Sequence, residues 1–368
     1  MRFILYVPKG VKTGGPEAIH QLNHALKDLG FECYLLATWG TGRKKTILEY
    51  NIYRPKFIQW WSLKRGDVVV VPEFLSRIPY YVSRRADSIV FWWLSVDNSP
   101  FFNEKKWKSS NKKIWSEYPD SKDIGETLHF RRHLSILSYL RYGSYLMALR
   151  LTNILYKLLS SQIKLSEVLH IFQSNYAKEY VGREYQLKGL MVSDYTHEIT
   201  RLPIQESQIV KIDYDDRAFI VAYNPRKGLA NILNIKRFLD PSVKFIPLQG
   251  FSDNQVQDIL NKVDLYLDLG NLPGKDRLPR EAIMAGCPIM ITTLGAGFNA
   301  EDFPVPSQYK LQLDVISPVE AAQSVLKVLK LGKLENFKMQ TLFRESVSKE
   351  KEFFYREVRE FVRQFTGS

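Results

Sequence analysis

The chain has 368 residues, 45% of them apolar and 25% charged, which are the proportions of an ordinary folded protein and exclude disordered or collagen-like chains. Its 52 basic residues against 39 acidic ones leave a formal charge of +13, which favours a partly anionic partner: nucleic acid, a membrane surface or a phosphorylated substrate. Cys33 and Cys287 match no zinc or CxxC spacing, so neither a disulfide scaffold nor a structural zinc site is expected, and a reducing compartment fits best.

In chain order, Phe3–Val7 reads as a buried strand, followed by a glycine turn at Gly14-Gly15 and a helix over Glu17–Leu29 closed by Gly30. Met1–Pro8 lacks the long apolar stretch and cleavage site of a signal peptide, and no run suits a transmembrane helix. Cys33–Ala37, Asp67–Val71 and Ser88–Val96 are further strands. The continuous valines of Asp67–Val71 suit a sheet buried on both faces. Residues 101–165 carry 12 Lys/Arg against 5 Asp/Glu, over half of the excess charge, mixed with Tyr, Trp and Leu. This region reads as a helical insertion, either simply packed on the first domain or facing an anionic membrane surface through residues 104–160.

Alternation resumes with a strand at Leu169–Gln173, a helix at Asn175–Tyr185 and a strand at Leu190–Val192. The polar stretch His197–Arg217 reads as a linker. A second series follows: strands at Phe219–Tyr223, Val243–Pro247, Leu265–Leu269 and Cys287–Ile291, with helices between them. Val319–Leu331 and one long charged helix over Glu335–Phe365 close the chain. The predicted class is therefore α/β, with two Rossmann-like doubly wound domains. Residues 1–200 form a first domain that carries the insertion, 201–340 a second, and 341–368 a closing helix. Ligands in such folds bind beyond the carboxyl ends of the strands, here in the cleft between domains.

Several segments at strand ends could carry chemistry. Gly14 and Gly15 allow close approach to the backbone at a helix start, and a tight structural turn explains them equally well. The segment is neither GxGxxG nor a Walker A loop. Asn224-Pro225-Arg226-Lys227-Gly228 places two cations where a diphosphate could sit. Gly274-Lys275-Asp276-Arg277-Leu278-Pro279-Arg280-Glu281 opens a helix with three cations, and Glu281 could accept hydrogen bonds from a ribose diol. Gly250, where the Val243–Pro247 strand ends, is a further candidate at a strand's carboxyl end in the same domain. Asp97, just past Ser88–Val96, is the candidate base, although Asp97-Asn98-Ser99-Pro100 also suits an Asx turn. Glu17 and His20 lie one helical turn apart and could both face the cleft; Glu73 and Asp194 are weaker candidates at other strand ends.

With these pieces in order, the chain resembles a GT-B glycosyltransferase, similar to bacterial enzymes related to family four. The likeness rests on Gly14-Gly15-Pro16-Glu17, Gln173-Ser174-Asn175-Tyr176-Ala177, Ser193-Asp194-Tyr195, Asn224–Gly228, Arg277–Ala282 and Ala285-Gly286-Cys287-Pro288-Ile289. It implies a nucleotide-sugar donor held by the second domain, an acceptor held by the first, and a final helix, 341–368, that returns toward the first. It also implies basic residues and helix dipoles in place of a metal, so neither a metal nor another cofactor is expected. Lys227 resembles the family lysine that contacts diphosphate, and Glu281 the second of the paired glutamates, near the ribose. The family's arginine is replaced by Ala222 and its first glutamate by Pro273. Those departures leave stereochemistry open: an inverting enzyme needs a base, for which Asp97 is the candidate, and a retaining one needs none. They also keep a non-catalytic nucleotide- or glycan-binding protein as the alternative.

The leading expectation is transfer of a hexose-type sugar to a growing glycan or lipid-linked acceptor. It would serve bacterial surface polysaccharide, lipopolysaccharide or capsule, at the cytoplasmic face of the plasma membrane. Nucleic acid is not expected as a partner, because the charge excess is concentrated in one insertion and no recognition-helix or RNP-like motif is present.

Overall fold

The computed structural model describes residues 1–8, 10–37, 48–102, 160–196 and 218–367. The body of the basic insertion (103–159) and the linker (197–217) lie outside the described residues.

The first unit opens with β1 (Arg2–Val7), α1 (Gly14–Asp28), β2 (Glu32–Ala37) and β3 (Asp67–Pro72). It continues through β4 (Arg77–Pro79), α2 (Tyr80–Arg85), β5 (Ala86–Trp93), β6 (Ser160–Gln162), β7 (Leu169–Phe172), α3 (Asn175–Tyr185) and β8 (Leu190–Met191). Its six-stranded sheet has the order β2-β1-β3-β5-β7-β8, and every neighbouring pair is parallel. The period of two along each strand sorts side chains onto opposite faces. Phe3, Leu5, Val68, Val70 and Trp92 enter one core; Ile4, Tyr6, Val69, Val71 and Trp93 enter the other. That two-sided burial is why β3 is an unbroken apolar run rather than an alternating one.

The second unit comprises β9 (Ile220–Tyr223), α4 (Leu229–Lys236), β10 (Lys244–Pro247), α5 (Asp253–Lys262), β11 (Leu265–Asp268), α6 (Arg277–Met284), β12 (Ile289–Thr292), β13 (Lys310–Leu311) and α7 (Pro318–Leu331). Its five parallel strands run β10-β9-β11-β12-β13. Capping boxes start α5 (Ser252 with Gln255) and α7 (Ser317 with Glu320), each satisfying backbone donors that the first turn leaves open. The predicted pair of doubly wound α/β units is therefore the observed architecture. Cys33 and Cys287 are free and buried, each in a different core.

The tail differs from the single helix expected over Glu335–Phe365. It forms three: α8 (Lys333–Met339), α9 (Thr341–Ser348) and α10 (Glu350–Thr366). Gln340 marks the first break. It is buried, and its side-chain amide bonds the backbone N–H and C=O of Ile289 at 3.0 and 2.8 Å. The break also lets the tail serve two cores. Phe343 and Val347 pack in the second unit, whereas Phe354, Val358 and Phe361 pack in the first. One straight helix could not face both. Among the described residues, no helix is long and apolar enough to cross a membrane.

Candidate active site between the two sheets

In each sheet the strand order reverses around its first strand. β2 and β3 flank β1, and β10 and β11 flank β9. A crevice forms beyond the carboxyl ends of the strands at such a point. The loops that leave those ends meet one another across the two units. A Cβ on Gly274 would fall 2.7 Å from both the Leu94 carbonyl and the Gln173 side chain, so only glycine permits this approach. Beside it the Lys275 N–H donates to Gln173 Oε1 at 3.0 Å.

Asp97 stands in this cleft, in a single turn (Val96–Asn98) just past β5. Each of its oxygens has one donor. Tyr176 Oη, on the first turn of α3, donates to Oδ1 at 2.7 Å, and Asn271 Nδ2, from the second unit, donates to Oδ2 at 2.5 Å. Its carboxylate therefore reaches across the cleft rather than closing an Asx turn. Burial raises the Asp97 pKa, and the two hydrogen bonds oppose that rise. Tyr176 is itself fixed from the second unit. Both carboxylate oxygens of Asp302 accept backbone N–H groups of α3, from Asn175 and Tyr176, each at 2.8 Å.

The loop after β9 carries the expected cations. Asn224 Oδ1 accepts the Arg226 N–H at 3.0 Å, shaping the turn, and the Arg226 side chain is exposed. Gly228 adopts φ +65°, and a Cβ there would collide with the Leu269 carbonyl, so this turn requires glycine. Lys227 reaches across to form an ion pair with Asp276. Beneath them Asp268, at the end of β11, accepts from Tyr266 Oη at 2.9 Å and from the Gly270 N–H at 3.1 Å. Burial, reinforced by Asp276, pushes the Asp268 pKa up to about 6. Asp276 is likewise raised by burial, against the pull of Lys227.

Arg277 sits among three carboxylates, with Glu281 at 2.5 Å, Glu17 at 3.0 Å and Asp253 at 3.3 Å. Glu17 thereby joins the second-domain cluster, and its other oxygen accepts from Tyr53 Oη at 3.0 Å. Burial raises Glu281, and Arg277 opposes the rise. Gly14 and Gly15 open α1; among the described residues beyond that helix's own backbone, no atom lies within 4 Å of a Cβ built on Gly14, and Gly15 meets only Leu94 at 3.7 Å. Thr13, at the helix cap, makes no side-chain capping bond. Gly250 follows β10, is exposed and takes φ +81°.

Three expectations drawn from charge and position are revised. Arg280 is 1% exposed and binds Asp194 at 2.8 Å and Glu350 at 3.0 Å. Lys275 pairs with the same Glu350 at 3.1 Å. Arg280 thus ties the second unit to the loop after β8 and to α10, and Lys275 ties it to α10, instead of standing open to a diphosphate. His20 is buried, its Nδ1 2.7 Å from the Pro16 carbonyl and its ring 4.4 Å from that of Tyr50. Burial lowers its pKa to about 4, so it is a neutral packing residue at ordinary pH. Sequence reasoning passed over Tyr176, Asn271 and Asp302, whose partners lie far away in the chain, and Asp268, which bonds residues two positions to either side of it. Among the described residues, no group of three or more His, Cys, Asp or Glu is arranged to hold a metal ion.

No protein-family model matches the chain, and no curated protein does. Solved structures do. A glycosyltransferase from Rickettsia africae is 14% identical, covering 99% of this chain and 98% of that one, with a TM-score of 0.58. WaaG, a glycosyltransferase involved in lipopolysaccharide biosynthesis, is 11% identical over the whole of both chains, at a TM-score of 0.52. Anabaena HepE, solved with UDP and glucose, is 10% identical, covering 99% and 100%, at 0.58. Two parallel sheets with opposed carboxyl ends, a tail helix crossing back to the first, and these full-length likenesses together show that the chain has the GT-B glycosyltransferase fold.

Proposed function

We propose that the protein is a glycosyltransferase that moves a sugar from a nucleotide-diphosphate sugar to a glycan or lipid-linked acceptor. The observation that carries this reading is the meeting of Asp97, from the first sheet, with Asn271 and the Lys227–Asp276 pair, from the second. It unites a carboxylate of raised pKa and a lysine at the strand ends where this architecture binds ligands.

In the proposed reaction, which inverts the anomeric centre, the acceptor oxygen attacks the anomeric carbon, and its proton passes to Asp97. The bond from that carbon to the diphosphate oxygen breaks, and the diphosphate leaves with the electron pair. Lys227 and Arg226 neutralise it, Lys227 after exchanging Asp276 for phosphate. Fixed charge of this kind is worth about 3–4 kcal/mol for one strong contact. Glu281 would hold the ribose, and Gly14 and Gly15 leave room for substrate against the start of α1. No metal is invoked.

The transfer would serve bacterial surface polysaccharide, lipopolysaccharide or capsule, and the likeness to WaaG supports lipopolysaccharide among these. That role would place the enzyme at the cytoplasmic face of the plasma membrane, with residues 104–160 offering basic and aromatic side chains to it.

The test is a metal-free screen of UDP-, GDP-, CMP- and dTDP-linked sugars, read as melting temperature and as donor turnover, on wild type and Lys227→Ala. A donor present at about 100 times its dissociation constant stabilises by about 2.7 kcal/mol. A shift with one donor class that the variant loses, together with turnover, supports the reading. A shift without turnover in the presence of any acceptor moves the protein to the binding-protein alternative.

A further inference from the structure

A second basic and aromatic surface lies away from the cleft. Trp60 and Trp61 form a short turn ahead of β3, at the amino-terminal edge of the sheet whose carboxyl edge lines the cleft. They are 43% and 59% exposed. They are also held in place. Their rings pack edge to face at 5.5 Å, and Trp60 packs edge to face on Tyr81 of α2 at 5.3 Å. Tyr81 Oη donates to the Trp61 carbonyl at 3.0 Å, and Arg85 covers the Tyr81 ring at 4.4 Å while donating to the Leu63 carbonyl. The result is a fixed aromatic ridge left facing solvent, and adjoining exposed apolar side chains mark an interaction surface.

The charges around the ridge select the partner. Residues 54–66 and 74–86 contain no acid. Lys64, Arg65 and Arg84 are exposed and make no ion pair among the described residues; exposed acids at the same edge of the sheet are Glu32, at the start of β2 beside Arg2, and Asp87, beyond α2. Tryptophan favours the headgroup layer of a bilayer, and each nearby Lys or Arg adds attraction to anionic lipid. β6 pairs with β4 so that Ser160 lies opposite Pro79. The chain leaving the basic insertion thus rejoins the described fold beside Tyr80, which is 47% exposed and opens α2.

We propose that this face docks on an anionic lipid surface, with Trp60 and Trp61 in the headgroup layer and Lys64, Arg65 and Arg84 over the lipid phosphates. The inference stands on the ridge alone and does not depend on the reaction proposed above.

The test uses the full chain and vesicles of phosphatidylcholine, with and without phosphatidylglycerol, read by flotation. Wild type should bind the anionic vesicles and not the neutral ones. Trp60→Ala/Trp61→Ala and, separately, Lys64→Glu/Arg84→Glu should each lower partitioning by about tenfold or more, and Trp60→Phe/Trp61→Phe should restore part of the loss. All three variants should keep the wild-type melting temperature and donor-induced shift, which separates this outcome from failure of the transferase reading. Wild-type binding by a folded ridge variant overturns the proposal. So does absence of wild-type binding to anionic vesicles, or a loss confined to deletion of residues 104–160. Ridge-dependent capture of a single-stranded oligonucleotide, with no vesicle binding, overturns it in favour of nucleic acid.

Discussion

Arg280, inside α6, and Asp194, in the loop after β8, form an ion pair at 2.8 Å between the two units, and Glu350 at the start of α10 holds the other side of the same guanidinium at 3.0 Å. All three side chains are buried. Removing one member strands the others as uncompensated charge, which costs about 3–5 kcal/mol. Arg280→Ala should therefore lower stability to urea by that order. Donor KM in the protein that remains folded should change little. A variant of wild-type stability with impaired donor binding would return Arg280 to the diphosphate.

Lys227→Ala should behave in the opposite way. The ion pair with Asp276 is partly exposed, and pairs of that kind contribute little to folding, about 0–1 kcal/mol. Loss of the lysine should leave urea stability within about 1 kcal/mol of wild type and slow donor turnover by about 10²-fold or more. Lys227→Arg keeps the charge and should retain part of the rate. Equal turnover in the wild type and the alanine variant would remove Lys227 from the donor site.

Asp97 makes a pH prediction whose sign follows from its partners. Burial raises its pKa, while the hydrogen bonds from Asn271 and Tyr176 favour the charged form. Taking either donor away leaves burial less opposed and raises the pKa further. A base acts only when ionised, so the acid limb of the kcat profile should move to higher pH. A hydrogen bond to a charged group is worth about 1.5–3 kcal/mol, and so the shift in Asn271→Ala or Tyr176→Phe should be about one pH unit or more. Asp97→Asn should lose the limb together with most of the rate. An unmoved limb in both donor variants would assign the proton to another group.

Much of this arrangement can be read along the chain, and the reason is local. The valine run of β3, the positive-φ Gly228 and the two cations before it each announce themselves within a few residues. What stays hidden is long range. Arg280 looks like a solvent-facing cation at a helix start, because its carboxylate partners lie 86 and 70 residues away. Asn271 and Asp97 are 174 residues apart, and no spacing rule connects them. The tail reads as one helix because no glycine or proline interrupts its pattern; a tertiary clamp at Gln340 ends its first segment instead.

Glu73, one residue past β3, should shape the pH dependence of stability. Its Oε2 accepts the Leu94 N–H at 3.0 Å, and burial pushes its pKa up to about 8. An unfolded glutamate titrates near 4.3, so between that value and about 8 the native state holds a proton that the unfolded state has released. Stability therefore falls as pH rises through this window, and the loss is complete above it. Glu73→Gln keeps a carbonyl for Leu94 and has nothing to ionise. Urea denaturation from pH 5 to pH 9 should show wild type losing stability relative to Glu73→Gln as pH rises. A constant difference between the two would mean that Glu73 titrates near its ordinary value.

Gly14 and Gly228 separate a glycine kept for space from one kept for conformation. Gly228 has φ +65°, and a Cβ would strike the Leu269 carbonyl, so Gly228→Ala must strain the turn or push the β9 and β11 loops apart. It should cost about 1–3 kcal/mol of stability and weaken donor binding through the displaced Lys227. Gly14 has no such constraint, for among the described residues nothing outside its own helix lies within 4 Å of its missing Cβ. Gly14→Ala should leave stability unchanged to within about 0.5 kcal/mol. If substrate packs against the start of α1, the added methyl should raise its KM all the same, and Gly14→Val should raise it further. Stability and KM measured on the same preparations decide the point. An unchanged KM in Gly14→Val would place the substrate elsewhere in the cleft.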